Sequence, residues 1–404
     1  MKLNVKMYLT IISMTLFFLL ALLLIQMYVT SDHYVSGDQF ASSDQEISAT
    51  ATDTSNWAQD HPNKLANHNT KSLPPTTATL VGIGDILIHG IVYKDAQIGT
   101  SYNFKPMLAQ VKPYIERADI AFANQETMIG GAQLGLSTYP TFNSPFEVGD
   151  ALKDAGVDIV SMANNHTLDR GEKAIQNAIQ HWNKIGMAYT GSFSSEDDKQ
   201  IIRTLKANDI TFSFLAYTYG TNGIPVPNGK PYLVNLINLE NMKKEIAEAK
   251  SISDVVVVSV HFGNEYQRQP SDQQKQLVKE LANAGANIIL GHHPHVLQPT
   301  DWIERDDGQK TFVIYSLGNF LSGQKGIYKE IGGILQVDVE KTVGGNGVEI
   351  EIKNPAFLPT IVTKTSASKY TVVPLKNVYN TDSSIYKDIY HHMTQWMPEL
   401  TIIE

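Results

Sequence analysis

Beyond about residue 78, short apolar runs rich in Val and Ile alternate with longer stretches of helical period. Runs that are apolar on both faces and separated by helices are typical of parallel strands in an α/β sheet. The predicted strands are Thr79–Ile83, Ile120–Ala123, Asp158–Met162, Ile210–Tyr217, Val255–Val260, Asn287–Leu290 and Phe312–Ser316. The predicted helices are Phe146–Ala155, Gly171–Ile185, Leu239–Ala249, Ser271–Ala284 and Ser384–Met397. The pattern therefore predicts an α/β domain.

The C-terminal part has a different pattern of apolar and polar residues. From about Gly332 the pattern changes to strand-like pieces with glycine-rich turns, at Gly333–Glu340, Gly347–Lys353 and Tyr370–Pro374. We expect these pieces to finish the sheet. Residues 78–345 are then the main domain, and residues 346–404 complete it with strands and a helix.

The N-terminal apolar segment predicts a membrane anchor. Residues 7–31 contain no charged side chain and are long enough to cross the hydrocarbon core as a helix of roughly 20 residues. Lys2 and Lys6 precede the segment, whereas only acidic charges follow it up to Lys64. The positive-inside rule then makes residues 1–6 a short cytoplasmic N-terminus and puts the rest outside. A cleaved signal peptide is the alternative, but the apolar region exceeds the roughly 7–15 residues of a signal h-region.

Residues 32–77 predict a disordered extracytoplasmic tether. They are rich in Ser, Thr, Asp, Gln and Asn, and they carry no helical or strand period. Such a segment cannot bury enough apolar surface to offset its ordering entropy. As a random coil it would reach on the order of 35–40 Å. We therefore expect a single-pass protein of the cell membrane with an extracytoplasmic C-terminal domain.

Composition narrows the classes of function. The chain has 404 residues, of which 42% are hydrophobic, so it can bury a substantial core. Its net charge is −9, and no Lys/Arg stripe with interleaved aromatic residues is present, which argues against a nucleic-acid partner. The absence of cysteine excludes disulfides, thiolate metal sites and a cysteine nucleophile. Any metal must be bound by His, Asp, Glu, Asn or water.

Polar side chains follow five of the apolar runs, at the point where each run ends. In open α/β sheets ligands bind at the carboxyl ends of the strands, so we expect these residues to converge on one rim. The residues are Asp85, Asn124 with Glu126, Asn165 with His166, His261, and the cluster His292, His293 and His295.

Each of these residues also has a purely structural interpretation. Asp85 and Asn165 stand where Asp or Asn often caps a helix or closes a turn. Glu126 can be a solvated loop carboxylate, and a lone His261 after a buried strand is more often a hydrogen-bonding residue than a ligand. Three histidines around Pro294 are harder to explain in this way, because imidazole is the commonest metal-binding side chain. Taken together, the set favours a functional site.

A carboxylate, an amide oxygen and several imidazoles suit borderline divalent ions such as Mn, Fe or Zn better than calcium. With one bridging carboxylate, such a set can hold two ions roughly 3.5–4 Å apart and activate a water for hydrolysis. His166 is then a candidate proton donor to the leaving group, with Asp169 orienting its ring or, alternatively, capping the next helix. His89 is a possible additional ligand, although it is displaced from the strand end.

Short motifs add a family resemblance. Between about residues 79 and 338 the chain resembles the CapA family, the membrane-anchored capsule proteins of polyglutamate synthesis. The motifs are Gly84-Asp85, Asn124-Gln125-Glu126, ANNH at 163–166 with Asp169, VHFGNEY at 260–266, GHHPHV at 291–296 and YSLGNF at 315–320.

The resemblance implies a metallophosphatase-like fold related to the calcineurin-type phosphoesterases, which is a sheet sandwich with flanking helices. It also implies a protein outside a bacterial membrane that helps to make or export poly-γ-glutamate. The expected partners are the membrane, the polyglutamate-synthesis membrane subunits and the anionic polymer itself.

This sequence departs from the phosphoesterase pattern at several points. The D-x-H motif has Leu87 at its third position, so His89 is the candidate replacement, and Glu126 stands where that pattern has an aspartate. The G-H-x-H motif carries an insertion that keeps its spacing at His293 and His295 and leaves His292 as the extra residue. The expected metal ligands are Asp85, Glu126, Asn165, His261, His293 and His295. The expected catalytic residues are His166 and Asp169. Possible additional residues of the site are His89, His292 and Asn124.

Two classes of function remain open at this point. One is a tethered metal-dependent hydrolase or transferase that acts on an extracytoplasmic polymer, on its linkage or on a phosphoester of another cell-envelope substrate. The other is a non-catalytic scaffold that guides a nascent polyanion. The acidic net charge slightly disfavours wide polyanion binding, because like charges repel over roughly a Debye length of about 8–10 Å. The family resemblance favours the capsule role over any particular chemistry.

Overall fold

The computed structural model describes residues 74–345, 347–364 and 369–404. The predicted anchor at residues 7–31 and most of the predicted tether lie outside these ranges. In the part of the chain that is described, no helix combines the length and the apolar character needed to cross a bilayer. The first strand begins at Thr76, two residues before the predicted start of the domain.

The strands in chain order are β1 (Thr76–Leu87), β2 (Gln97–Ile98), β3 (Ser101–Tyr102), β4 (Ile120–Asn124), β5 (Ile159–Ser161), β6 (Ala188–Thr190), β7 (Arg203–Ala207), β8 (Ile210–Thr218), β9 (Val255–His261), β10 (Ile288–His292), β11 (Leu297–Glu304), β12 (Lys310–Leu317), β13 (Asn319–Ser322), β14 (Ile331–Gly344), β15 (Gly347–Thr363), β16 (Thr371–Pro374) and β17 (Thr401–Ile402). All the predicted strand runs overlap these strands.

The helices are α1 (Gly90–Ala96), α2 (Lys105–Leu108), α3 (Lys112–Ile115), α4 (Glu147–Asp154), α5 (Gly171–Ile185), α6 (Glu196–Lys199), α7 (Leu239–Ile252), α8 (Asp272–Ala284), α9 (Ile327–Glu330) and α10 (Ser384–Thr394). Short 3₁₀ turns occur at Ala132–Leu134, Pro231–Leu233 and Leu375–Asn377.

Two mixed sheets carry the fold. The first has the order β16-β15-β14-β1-β4-β5-β6, with β13 also against β1 and β17 against β15. The second has the order β11-β12-β10-β9-β8-β7. In the first sheet β1, β4, β5 and β6 are parallel, and the antiparallel strands β14 to β16 lie on one side of them. In the second sheet β8, β9, β10 and β12 are parallel, and antiparallel β7 and β11 form the two edges. The α/β prediction is confirmed, and the sheets are mixed.

The two sheets pack face to face through an apolar core. Side chains such as Leu80 and Phe122 from the first sheet share this core with Phe214 and Leu290 from the second. The rings of Phe122 and Phe214 stack with their centroids 6.1 Å apart. Helices α4 and α5 cover the outer face of the first sheet around the buried Trp182, and α7 and α8 cover the outer face of the second. The layers are therefore helix, sheet, sheet and helix.

Helix α8 shows how local signals position the histidine-rich segment. Ser271 accepts a hydrogen bond from the backbone N–H of Gln274, whose side chain binds back to Ser271 in a capping box. The helix ends at Gly285, whose φ of +111° suits glycine. Because α8 connects β9 to β10, these fixed ends determine where β10 starts and where the loop after it begins.

Glycines in the motifs allow backbones to meet without side chains between them. A Cβ on Gly84 would lie 2.1 Å from the carbonyl oxygen of Gly318, and one on Gly332 would lie 2.0 Å from that of Asn319. The backbone N–H of Asp85 donates to the Gly318 carbonyl over 2.9 Å. This contact places Asp85 beside Asn319 in adjacent strands.

We predict that Gly84→Ala lowers the free energy of unfolding by about 1–3 kcal/mol or more, since overpacking against a backbone forces the chain to shift. Gly344→Ala is the matched control, because nothing lies within 4 Å of a Cβ there. Urea unfolding of the purified protein compares the two variants. Equal stability of both would contradict the role given to this close approach.

Candidate metal centre

The structure brings most of the predicted site residues together where both sheets end. In the first sheet Asp85 lies within β1, two residues before its end, and β4 and β5 lead to Glu126 and Asn165. In the second sheet β9 ends at His261. Strand β10 ends at His292, and the loop after it carries His293 and His295. All of these side chains are buried. The expected single rim is therefore made of the ends of two sheets that face each other.

Asp85 accepts one side-chain hydrogen bond and lies beside two imidazoles. Its Oδ1 accepts from the side-chain amide of Asn124 over 2.8 Å and lies 3.3 Å from Nδ1 of His292. Its Oδ2 lies 3.3 Å from Nδ1 of His295. Burial acts to raise the pKa of Asp85, but hydrogen bonding and charge attraction from the two histidines outweigh burial and hold that pKa well below its usual range. Helix α1 has His89 as its N-cap, so Asp85 does not cap it.

Glu126 is a fully buried carboxylate. Its Oε1 lies 3.8 Å from Nε2 of His261 and 3.6 Å from Nε2 of His295. Among the described residues neither oxygen has a hydrogen-bond partner. Burial raises the pKa of Glu126 well above its usual value, and repulsion from Asp85 adds to this against the attraction of His295. The alternative of a solvated loop carboxylate is therefore wrong.

The loop after β10 holds two histidines in an unusual backbone conformation. His293 has a φ of +96° and His295 a φ of +57°. Left-handed conformations of non-glycine residues cost on the order of 1–3 kcal/mol and cluster at functional sites. Burial, with repulsion from His295, lowers the pKa of His293 to about 3. Burial would also lower the pKa of His295, but attraction by Glu126 and Asp85 prevails and raises it to about 9.

His261 and Asn165 meet across the gap between the sheets. Nε2 of His261 lies 2.9 Å from the amide oxygen of Asn165, and the rings of His261 and His293 have centroids 4.8 Å apart. Burial, followed by repulsion from His293, lowers the pKa of His261 well below its usual value. A neutral imidazole is the form that binds metals. Helix α5 has Arg170 as its N-cap, so Asn165 does not cap it.

The donor atoms fall into overlapping groups. In each group, one atom from every residue lies within 4.8 Å of the others: Glu126, His261 and His293; Asp85, Glu126 and His295; Glu265, His293 and His295. The first two groups share Glu126, so a cation in each of them would have this carboxylate in common. Several of these buried oxygen and nitrogen atoms have no hydrogen-bond partner among the described residues. A mixed set of oxygen and nitrogen ligands fits Mn, Fe or Zn.

His166 and Asp169 form a pair beside these groups. Nδ1 of His166 lies 2.7 Å from Oδ2 of Asp169, which also accepts the backbone N–H of Phe142 over 2.7 Å. The edge of the Phe142 ring meets the His166 ring with centroids 4.7 Å apart. Asp169 therefore orients His166 and does not cap α5. The catalytic role of the pair stays a prediction.

The three additional candidates have other contacts. Nδ1 of His89 lies 3.1 Å from the carbonyl of Leu87 and accepts from the backbone N–H of Gly323 over 3.2 Å. His292 contacts Asp85 from the side of Phe122, with ring centroids 6.1 Å apart. Neither histidine belongs to any of the donor groups. Asn124 directs its amide nitrogen, a donor, toward Asp85, so it positions the carboxylate.

Sequence reasoning missed three residues of the centre. Oδ1 of Asn319 lies 3.1 Å from Nδ1 of His295, and its amide nitrogen donates to the carbonyl of Lys329 over 2.8 Å. Oδ1 of Asn164 accepts the backbone N–H of His166 over 2.9 Å. Both asparagines lie within quoted motifs, and that position was the available signal. Glu265 lies within the quoted motif VHFGNEY, four residues beyond the end of β9 at His261, and that position was again the available signal.

A family model described as bacterial capsule synthesis protein PGA_cap matches residues 79–324, which is more than half of the chain. The chain belongs to this capsule synthesis family. The resemblance to CapA is thereby confirmed. The matched segment contains every residue of the donor groups, the His166–Asp169 pair and Asn319, so the whole centre is part of the PGA_cap region.

Two curated relatives carry related names. The PGA biosynthesis protein CapA of Bacillus subtilis (strain 168) is 33% identical over 224 residues, which cover 55% of this chain and 57% of that protein. The capsule biosynthesis protein CapA of Bacillus anthracis is 30% identical over 262 residues, which cover 61% of this chain and 60% of that protein. The match thus spans about three fifths of the length of these relatives.

Two solved structures are similar at a lower level. A hypothetical protein from Thermus thermophilus has a TM-score of 0.40 at 16% identity, covering 70% of this chain and 99% of that one. The sulfate thiohydrolase SoxB from Thermus thermophilus, in complex with glycerol, has a TM-score of 0.39 at 12% identity, covering 79% and 60%.

We predict that Mn²⁺ or Zn²⁺ stabilises the wild type against thermal unfolding and that Glu126→Gln removes this effect, because the shared carboxylate is lost. A cation at 100 times its dissociation constant adds about 2.7 kcal/mol of stability. Thermal unfolding with and without metal, together with elemental analysis, measures both. Glu349→Gln, at an exposed position on β15, is the matched control. Equal metal content in wild type and Glu126→Gln would contradict the assignment.

Proposed function

We propose that the protein takes part in the biosynthesis or export of a poly-γ-glutamate capsule, with a divalent metal centre in an extracytoplasmic domain. The observation that carries this proposal is the family match, which extends over the whole centre. The names of the two Bacillus relatives, a PGA biosynthesis protein and a capsule biosynthesis protein, support the same role.

The location and partners are part of the proposal. The uncharged apolar residues 7–31, flanked by Lys2 and Lys6 on one side and by acidic residues on the other, support a membrane anchor with the domain outside. A protein held there can meet the polymer as it leaves the membrane subunits that make it. We infer that those subunits and the anionic polymer are its partners.

We further propose that the centre is of metallophosphoesterase type and hydrolyses a bond in the polymer, in its linkage or in a phosphoester. The two donor groups that share Glu126, at the carboxyl ends of two packed sheets, support this chemistry. Bound divalent metal would act as a Lewis acid and lower the pKa of a bound water. The chain supplies Asp85, Glu126, Asn165, His261, His293 and His295 as ligands, and burial keeps bulk water away from them.

His166 is suited to move a proton in such a reaction. Asp169 holds its Nδ1 over 2.7 Å, which leaves Nε2 to donate a proton to a leaving group. Phe142 packs against the ring and fixes its plane. A non-catalytic scaffold would need neither this pair nor the metal, so the two classes of function differ in what they require of His166 and Asp85.

In cells that lack their own copy, we expect wild type to restore capsule polymer and Asp85→Asn to fail, because a charged ligand is lost. His391→Gln, at an exposed position on α10, is the control and should restore it. Surface polyglutamate is measured at equal amounts of membrane-bound protein. Full restoration by Asp85→Asn would rule out a metal centre in the capsule role.

With phosphomonoester, phosphodiester and γ-glutamyl substrates, we expect His166→Gln to reduce kcat by about 10²- to 10⁴-fold while bound metal stays constant. Asp169→Asn should reduce kcat as well, because it removes the negative charge that orients His166. Steady-state kinetics with parallel metal analysis checks both variants. The scaffold alternative gains if metal-loaded wild type turns over none of the three substrates and His166→Gln still supports capsule formation.

A further inference from the structure

Lys329, on the short helix α9, lies at the edge of the metal centre. Its Nζ is 4.8 Å from the centroid of the Tyr266 ring, and that ring is 6.2 Å from the ring of His295. The ammonium group is therefore within about 11 Å of a candidate metal ligand. Tyr266 is 48% exposed, so solvent and a ligand can reach this edge.

The backbone fixes Lys329 to the same centre by a second route. Its carbonyl oxygen accepts from the amide nitrogen of Asn319 over 2.8 Å, and Oδ1 of Asn319 contacts His295. Gly326 leaves room for the lysine side chain, since a Cβ there would lie 3.1 Å from Cε of Lys329. The bond to Asn319 thus fixes the backbone from which the lysine side chain extends, and the face of Tyr266 is the contact of its ammonium group.

Among the described residues, three cationic side chains near Lys329 are paired with carboxylates, whereas its own ammonium group is not. Lys325 pairs with Glu330 at 3.2 Å, Arg268 with Asp388 at 2.7 Å and Lys364 with Asp95 at 3.1 Å. Within the described ranges Lys329 forms no salt bridge, and its close contact is the face of Tyr266. Glu265 borders the same edge, but its carboxylate lies with the donor atoms of His293 and His295.

We propose that Lys329 binds a carboxylate of the substrate chain next to the bond that is held at the metal centre. This inference rests on the proposed function, in which the substrate is γ-linked glutamate. Every residue of that polymer carries one free carboxylate. A chain placed at the centre therefore presents a carboxylate beside it at any register. An ammonium held over an aromatic face recognises that charge without requiring one particular side chain.

The test is equilibrium binding of a defined γ-linked glutamate oligomer to the full-length, metal-loaded protein. We expect Lys329→Gln to weaken binding roughly three- to tenfold, as loss of one charge-assisted contact does, and Lys329→Arg to retain it. Lys325→Gln is the matched control on the same segment and should stay within twofold of wild type. The same oligomer with amidated carboxylates should bind wild type and Lys329→Gln equally.

Two results would overturn the inference. One is binding of the charged oligomer by Lys329→Gln within twofold of wild type. The other is a loss confined to inorganic phosphate or polyphosphate, which would make the anion a phosphate. Elemental analysis and thermal unfolding of each variant separate these results from loss of metal or of fold. Suppose that Lys329→Gln binds the oligomer as well as the control Lys325→Gln does, and that Asp85→Asn still abolishes capsule formation. The proposed function then stands and this inference does not.

Discussion

The burial of Glu126 between two imidazoles is the constraint on which the rest of the centre depends. A carboxylate removed from water without a hydrogen bond is destabilising unless a positive charge lies close to it. His295 provides one such charge at 3.6 Å, since Glu126 and Asp85 raise its pKa. His261 and His293 lie on the other side and have lowered pKa values, so they stay neutral. His295 therefore carries the charge that balances Glu126 when no cation is bound, and a cation held by Asp85, Glu126 and His295 would displace that proton.

Such a centre needs a rigid support, and close backbone contacts at three glycines, two of them in the motifs, supply it. Gly84 and Gly332 press β1 and β14 against residues 318 and 319, and Gly291 does the same for β10, since a Cβ there would lie 2.0 Å from the carbonyl of Tyr315. These contacts bring the ends of both sheets within side-chain reach of each other. The motifs GD, GHHPHV and YSLGNF thus supply glycines that let backbones approach closely as well as side chains that can bind a metal.

Part of this arrangement could be predicted from the sequence. Buried strands appear as apolar runs, and a polar residue at the end of a run marks a strand terminus, which is why Asp85, His261 and the histidine loop were found. Two things could not be predicted. The pairing of the sheets depends on contacts between distant segments, such as Phe122 with Phe214, that leave no local period. Asn319 and Glu265 lie in the motifs YSLGNF and VHFGNEY but were missed, because each stands several residues beyond its apolar run and only the fold brings it to the centre.

An acidic chain could bind an anionic ligand at this centre if cations neutralise its carboxylates. Asp85, Glu126 and Glu265 place three carboxylates in the donor groups, so without a cation the local field repels a polyanion. Divalent cations held by those groups would offset this charge over a few ångströms and leave the surrounding acidic surface unchanged. Lys329 would then extend the neutralised region outward along the edge that carries Tyr266. A negatively charged chain would be attracted at that edge and repelled elsewhere, which orients it before any chemistry occurs.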